Sequence, residues 1–384
     1  MGDMAIGSPK SSTLDASFRD LTTPAFVVDR TIVQRNCDRM REKAARSGVV
    51  FRPHVKTHKT MEIGRMQHGG EAGLITVSTL AEAECFAANG FHDITYAVPL
   101  APEKLERVAW LAARVERLNI LIDSETALHS LESFNRASGT VFDVFLKLDC
   151  GYHRAGVDPE AESSVALALA IHDSPAARYR GVLVHAGHSY HARNAAEIRS
   201  IAAEETACVS AFAAKVPGVI TIRSIGSTPT ASVVETFTGC DEVRPGNYVF
   251  FDAFQATIGS CDISDVAVSV LATVIGSYPD RGSLVIDAGA LAMSKDSGPD
   301  HVEPQFGYGI VCDRALHPLP LKLVALSQEH GKIVGDPQEI ATLPVGAQLR
   351  IIPNHSCLTA AMYDCYHVLE AGRIVGEWKP VRGW

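Results

Sequence analysis

Residues 74–98 read LITVSTLAEAECFAANGFHDITYAV, and this stretch decides the fold class. Its two ends, 74–77 and 94–98, are apolar runs without strict alternation, the mark of parallel strands buried on both faces. Between them Thr79 stands three residues before Glu82, a capping-box pair, and Asn89-Gly90 supplies a helix stop. Strand, helix and strand follow one another with almost nothing left over.

The same alternation runs outward in both directions, from about residue 24 to about residue 255. Further apolar runs lie at 25–28, 49–51, 119–122, 141–148, 181–184 and 219–222, with helix-like spacing at 29–45, 123–134 and 194–214. About eight such repeats predict an α/β chain folded as a (β/α)8 TIM-type barrel, with an open doubly wound sheet as the alternative. After about residue 260 the pattern becomes β-rich, at 266–278, 283–286, 322–326, 348–352 and 366–375, broken by Pro279-Asp280-Arg281-Gly282 and Ala371-Gly372. The organisation expected is a flexible N-terminal arm over 1–20, a barrel over 21–258 and a mainly antiparallel C-terminal β domain over 259–384.

Composition narrows the function classes. The 384 residues carry a net charge of -9, with 46% apolar and 21% charged residues. An acidic globular chain disfavours nucleic acid and anionic membrane as partners. Nine scattered cysteines do not form a disulfide framework and suit a reducing, cytoplasmic setting. The N-terminus lacks the basic and apolar segments of a secretory signal, and Ile6 breaks the myristoylation pattern that Gly2 would open.

Barrel chemistry belongs where strands end. Directly after the run at 49–51 comes RPHVKTHK (52–59), with two lysines, two histidines and an arginine. Crowded cations and partial desolvation lower a lysine pKa and make a carbonyl-reactive amine; a solvated basic loop is the alternative. Late in the barrel, SIGSTPT (224–230) and RPGNY (244–248) offer glycines and hydroxyls through which backbone N–H groups approach an anion, although turn formation alone would explain both. A nucleophilic lysine and anion loops together suggest an aldehyde cofactor tethered by its phosphate. In the C-terminal domain, PNHSC (353–357) places His355 and Cys357 two residues apart. On extended chain they share a side and can take two positions on zinc; a buried cysteine beside a surface histidine is the bland reading. LDCGYHRAGV (148–157), HAGHSY (185–190) and SQEHG (327–331) are polar clusters after strands, and Asp149 and Arg154 in the first are a candidate ion pair.

Taken in order, PHVKTHK, ITVSTLAEAE, DCGYHRAGV, HAGHSY, GSTPT, RPGNYVFFD, FGYG, SQEHG and PNHSC span nearly the whole chain. With them it resembles the zinc-dependent D-serine dehydratases and their relatives, the D-threo-3-hydroxyaspartate dehydratases and D-threonine aldolases, which have the alanine-racemase-type fold. The resemblance implies pyridoxal 5'-phosphate joined to Lys56 as a Schiff base. It implies Gly226, Ser227, Thr228, Gly246 and Asn247 around the phosphate, and Tyr190 near the ring. His355 and Cys357 would hold Zn2+. Spacing alone leaves Lys59 in competition with Lys56. Cys357 tilts the reading to the dehydratases, because the aldolases usually carry Asp there and thiolate selects zinc over harder ions.

The activity implied is a lyase that converts a small D-β-hydroxy amino acid to a keto acid and ammonia, in a homodimer. The runner-up is a D-threonine or 3-hydroxy-D-aspartate aldolase yielding glycine and an aldehyde. A non-catalytic cofactor carrier and a barrel metal hydrolase using His54, His58, His185 and His188 are further alternatives. A second substrate carboxylate would call for a cation such as Arg154, Arg193 or Lys295.

Overall fold

The computed structural model describes residues 18–219 and 222–384; most of the expected arm, residues 1–17, lies outside them. The chain forms two compact units. One comprises Asn36–Val249, Ile258–Cys261 and Val381–Trp384; the other takes the N-terminal residues to Arg35, with Phe250–Thr257 and Asp262–Pro380.

The first strand, β1 (Ala25–Asp29), corrects the sequence reading. It pairs antiparallel with β10 (Val268–Tyr278) and parallel with β16 (Tyr366–Glu370), inside the antiparallel sheet rather than the barrel. Its four leading residues are buried, so the apolar run is real, but burial on both faces does not say which sheet receives a strand.

The barrel strands are β2 (Val50–Phe51), β3 (Ile75–Val77), β4 (Asp93–Pro99), β5 (Arg117–Ile122), β6 (Phe142–Lys147), β7 (Ala177–Leu183), β8 (Ile222–Ile225) and β9 (Glu242–Val243). All ladders are parallel, in the order β2-β9-β8-β7-β6-β5-β4-β3. The eighth strand is β9, two residues long and too short to register as a periodic signal. Of the run expected at 219–222, residues 220 and 221 lie outside the described residues, and β8 is described from Ile222. The ring closes between β2 and β3 through a His54–Thr76 bridge, with Thr76 N donating to Pro53 O at 2.9 Å and Thr76 Oγ1 to Arg52 O at 2.9 Å. The PHVK segment is therefore the seam of the barrel. Leu121, Phe145 and Leu183 pack together in its interior.

Local signals place the helices. Ser124 caps Glu125–Ser138, which ends on Gly139 at φ +73°, and Asn194 caps Ala195–Lys215 through Ala196 N and Glu197 N. Thr79 caps Leu80–Ala88 by accepting from Glu82 N at 3.1 Å. The Glu82 carboxylate accepts instead from Ser78 N at 2.8 Å and stands 2.9 Å from Lys59 Nζ.

The other unit is built on a nine-stranded, mainly antiparallel sheet that adds β11 (Ser283–Ile286), β12 (Ile310–Cys312), β13 (Pro318–Leu326), β14 (Gly331–Gly335), β15 (Gln348–Ile352) and β17 (Arg373–Trp378). The long strand β10 pairs β15 and then, after a bulge at Val274/Gly276, β11. The six strands β10-β11-β14-β13-β12-β15 thus close on themselves, and the bulge supplies the bend. The polar cluster at 327–331 is the hairpin turn between β13 and β14, where Ser327 N donates to His330 O at 2.9 Å. Among the described residues, no helix is long and apolar enough to cross a membrane.

Candidate active site

The seam residues give the candidate lysine its surroundings. Val55–Thr57 form one 3-10 turn capped by His54, whose Nδ1 accepts from Lys56 N at 3.3 Å. With Nδ1 accepting, Nε2 carries the hydrogen and reaches Ser78 Oγ at 3.3 Å. His185 lies after β7, and its Nδ1 donates to Gly226 O at 3.0 Å, leaving Nε2 as an acceptor. Burial, followed by the field of Lys56, holds both His54 and His185 well below the ordinary imidazole pKa. Lys56 is half-buried beside two neutral imidazoles.

The competing lysine is committed elsewhere. Lys59 takes a left-handed backbone at φ +55° and points its ammonium at buried Glu82. His58, fully buried, accepts from Thr60 N and reaches Gln67 Oε1, which fixes it as a packing residue rather than a metal ligand. A third lysine gave no signal in the sequence. Lys147 closes β6, is 7% exposed, and donates to Leu148 O at 2.8 Å; burial brings its pKa down to about 8.

The two anion loops are locked to each other. Thr228 Oγ1 accepts from Gly246 N at 3.3 Å and Tyr248 N at 3.2 Å, which ties the loop after β8 to the loop after β9. Ser227 and Thr230 cap one another, and Ser227 Oγ lies 2.9 Å from Ser189 Oγ in the turn Gly187–His191 that also carries Tyr190. Two glycines are required by space. Gly226 has φ +135°, and a Cβ there would stand 2.8 Å from Arg244 N; a Cβ on Gly246 would meet His54 Cβ at 2.9 Å. Asn247 follows Gly246, buried at the start of a 3-10 turn. Lys56, Gly226, Ser227, Thr228, Gly246, Asn247 and Tyr190 all lie in the loops, 3-10 turns and helix start that directly follow barrel strands within one unit.

Two buried charges behind these loops escaped sequence reasoning. Glu205, with no exposed surface, accepts through Oε1 from Ala186 N at 3.0 Å and Gly226 N at 3.1 Å, and through Oε2 from Thr230 Oγ1 at 3.0 Å. Its signal was present: Ile198, Ala202, Glu205, Val209 and Phe212 form one buried helical stripe, so the carboxylate interrupts an apolar face. Arg244 donates to Ser224 Oγ at 2.7 Å and to Val184 O, and burial lowers its pKa to about 10. Ser224 passes the contact to Glu242 at 2.6 Å, and Glu242 pairs with Arg52 at 2.6 Å.

The expected Asp149–Arg154 pair is not formed. Asp149 holds His153 at 2.9 Å, and the Arg154 guanidinium lies 5.1 Å from the Tyr152 ring centroid.

In the other unit, His355 and Cys357 follow β15. They do not sit on extended chain as expected: His355 is extended, and Cys357 belongs to the short helix Ser356–Ala360. The turn nevertheless brings imidazole and thiol into hydrogen-bond contact. Asp296 Oδ2 stands 3.1 Å from His355 Nδ1, leaving Nε2 for another partner. Burial opposes charge on His355, but the bonds to Asp296 and Cys357 outweigh it and raise the pKa well above its ordinary value. Asp252 accepts from Ser356 N at 2.9 Å, and Asn354 Nδ2 donates to Asp296 O and Gly307 O at 2.9 and 2.7 Å. The pair is thus carried on a rigid turn. Asp296 had no sequence signal, because it lies 59 positions from His355 in an irregular loop.

Residues 28–253 match the family described as "Alanine racemase, N-terminal domain", and residues 267–369 the family described as "Putative serine dehydratase domain". The chain is 41% identical to the D-threo-3-hydroxyaspartate dehydratase of Delftia sp. (strain HT23) and 38% identical to the D-serine dehydratase of Dictyostelium discoideum; each match covers 95% of this chain and 98% of the relative. The chain belongs to the D-serine dehydratase family. Its fold is the alanine-racemase type that this family shares. The solved D-threo-3-hydroxyaspartate dehydratase from Delftia sp. HT23 superposes with a TM-score of 0.91 at 39% identity, covering 96% of this chain and 100% of that one. A cysteine-to-alanine variant of a D-threo-3-hydroxyaspartate dehydratase, solved in the metal-free form, superposes equally well. Aldolases of the family are more distant, such as the 3-hydroxy-D-aspartate aldolase of Paracoccus denitrificans (strain Pd 1222) at 26% identity over 94% of this chain and 91% of the relative.

Proposed function

We propose that this chain is a pyridoxal-phosphate- and zinc-dependent lyase that eliminates water from a small D-β-hydroxy amino acid, giving a keto acid and ammonia. The observation that carries the proposal is Lys56 close enough to act electrostatically on neutral His54 and His185, in the same unit as two glycine-bearing loops pinned together by Thr228. The dehydratase relatives support it over an aldolase, at 38–41% against 26% identity.

The residues fit both groups. The cradle for the phosphate is made of the Gly226, Ser227, Thr228, Gly246 and Asn247 backbone, where a Cβ at either glycine would fill the approach. Imidazole and thiolate from His355 and Cys357 would hold zinc, with Asp296 orienting the ring. Pyridoxal phosphate supplies an electron sink for charge developing at the substrate Cα, and zinc supplies Lewis acidity at the β-hydroxyl.

The chain's own residues do the rest. Lys56 would hold the cofactor through its ε-amine and, once the substrate amine displaces it, take the proton from Cα. Because His54 and His185 stay neutral, they add no positive charge beside that amine. Glu205 keeps the cradle in register by fixing Gly226 and Thr230 from behind. We place this enzyme in the cytoplasm as a homodimer.

The test is product analysis with D-serine, D-threonine and D-threo-3-hydroxyaspartate. Keto acid and ammonia in equal amounts support the reading; glycine with an aldehyde overturns it in favour of the aldolase.

A further inference from the structure

A second set of metal donors lies at the far edge of the nine-stranded sheet. β16 and β17 form its last hairpin, with β17 on the outer edge, and His367 stands directly opposite Glu377 in their register. Cys365 precedes β16 and lies two positions before His367. Residues i and i+2 of an extended chain share a face, and directly opposed residues share it too. The hairpin therefore gathers a thiol, an imidazole and a carboxylate onto one side. Their ligand atoms all lie within 4.8 Å of one another, and among the described residues this is the one group of three such donors that does so.

Local contacts leave these donors with little else to do. His367 Nδ1 is buried without a hydrogen-bond partner, and Glu377 Oε1 stands 3.6 Å from it, beyond hydrogen-bond reach. A buried imidazole nitrogen without a partner costs free energy that a ligand would recover. Cys365 is half-buried and turned to Glu377; burial, with that carboxylate, pushes its pKa up to about 11.

We propose that Cys365, His367 and Glu377 form a second cation site, distinct from His355 and Cys357, that takes Zn2+ with water in the fourth position and clips the edge hairpin. Mixed sulfur, nitrogen and oxygen donors select zinc over magnesium or calcium, and two donors on paired strands with a third just before them can meet its tetrahedral preference with small side-chain movements. Binding exchanges the Cys365 proton for the metal, so one proton leaves per ion bound. The site holds an edge strand, where pairing is otherwise one-sided.

The test counts zinc in the full-length, cofactor-loaded protein after equilibration with a modest excess of ZnCl2 and removal of free metal. Cys365→Ser is expected to hold one zinc per chain fewer than wild type, with unchanged keto acid formation. Glu377→Gln, at an exposed position that folding tolerates, should bind the second ion at least tenfold more weakly. Cobalt(II) titration of the His355→Ala/Cys357→Ala double variant should still develop a thiolate-to-cobalt absorption, and adding Cys365→Ser should abolish it. Equal zinc content in wild type and both single variants, or no such absorption in the double variant, would overturn the proposal. A double variant that retains the zinc content of wild type would instead count against the assignment of His355 and Cys357, leaving the second site standing.

Discussion

Glu205→Ala is the sharpest probe of how the cofactor cradle is held. The substitution leaves Ala186 N and Gly226 N, both buried, without their acceptor. Thr230 Oγ1 loses a partner but keeps Ser227 within reach. Each orphaned N–H costs about 1–3 kcal/mol, hence about 2–6 kcal/mol in all. A cavity of about 440 Å³ lined by Glu205, Gly226 and Thr230 admits water to the vacated space, which favours the lower half of that range. Glu205→Gln keeps an oxygen for both N–H donors and should cost less than about 1.5 kcal/mol. If about half of the alanine penalty falls on the cradle, pyridoxal phosphate binds roughly 5- to 30-fold more weakly. Urea unfolding of the cofactor-free chain and absorbance-monitored cofactor titration separate the two effects. An alanine variant equal to wild type in both, or a glutamine variant as damaged as alanine, would refute the positioning role.

Two further outcomes follow from the same geometry. Burial brings His58 to about 3, so the native ring stays neutral while the unfolded chain takes up a proton below its ordinary pKa of about 6.5. Its contribution is therefore full above about pH 6.5 and is lost as pH falls toward about 3; between pH 7.5 and 5 the loss is about 2 kcal/mol. Urea midpoints at those two pH values should show a loss smaller by that amount in His58→Gln, and an identical loss would contradict it. Asp296→Ala frees the His355 ring and should weaken zinc binding about 10- to 100-fold in competition with a chelator, with cofactor affinity unchanged; undiminished zinc affinity would show that Asp296 does not orient the ring.

The sequence made the barrel legible wherever apolar runs were three residues or longer and caps were local, as at Thr79, Ser124 and Asn194. Periodicity could not tell that β1 joins the antiparallel sheet, since a strand buried on both faces looks alike in either setting. Nor could it find β9, where two residues carry no period. At the proposed site, Lys56 and the two glycine loops stand out in the sequence because cationic, glycine and hydroxyl residues cluster after strands. The contact of Lys59 with Glu82, which favours Lys56 as the proposed carrier, depends on a residue 23 positions away. Glu205, Asp296 and Lys147 were hidden because their work depends on partners distant in sequence, or on burial that composition does not report.

The central claim is that Lys56 carries the cofactor. Borohydride reduction of the cofactor-loaded protein, followed by peptide mapping, fixes the coenzyme to whichever amine held it. The expected result is a pyridoxyl group on Lys56, with Lys59 and Lys147 unmodified. A label on either of those lysines, or no label at all, would contradict the account.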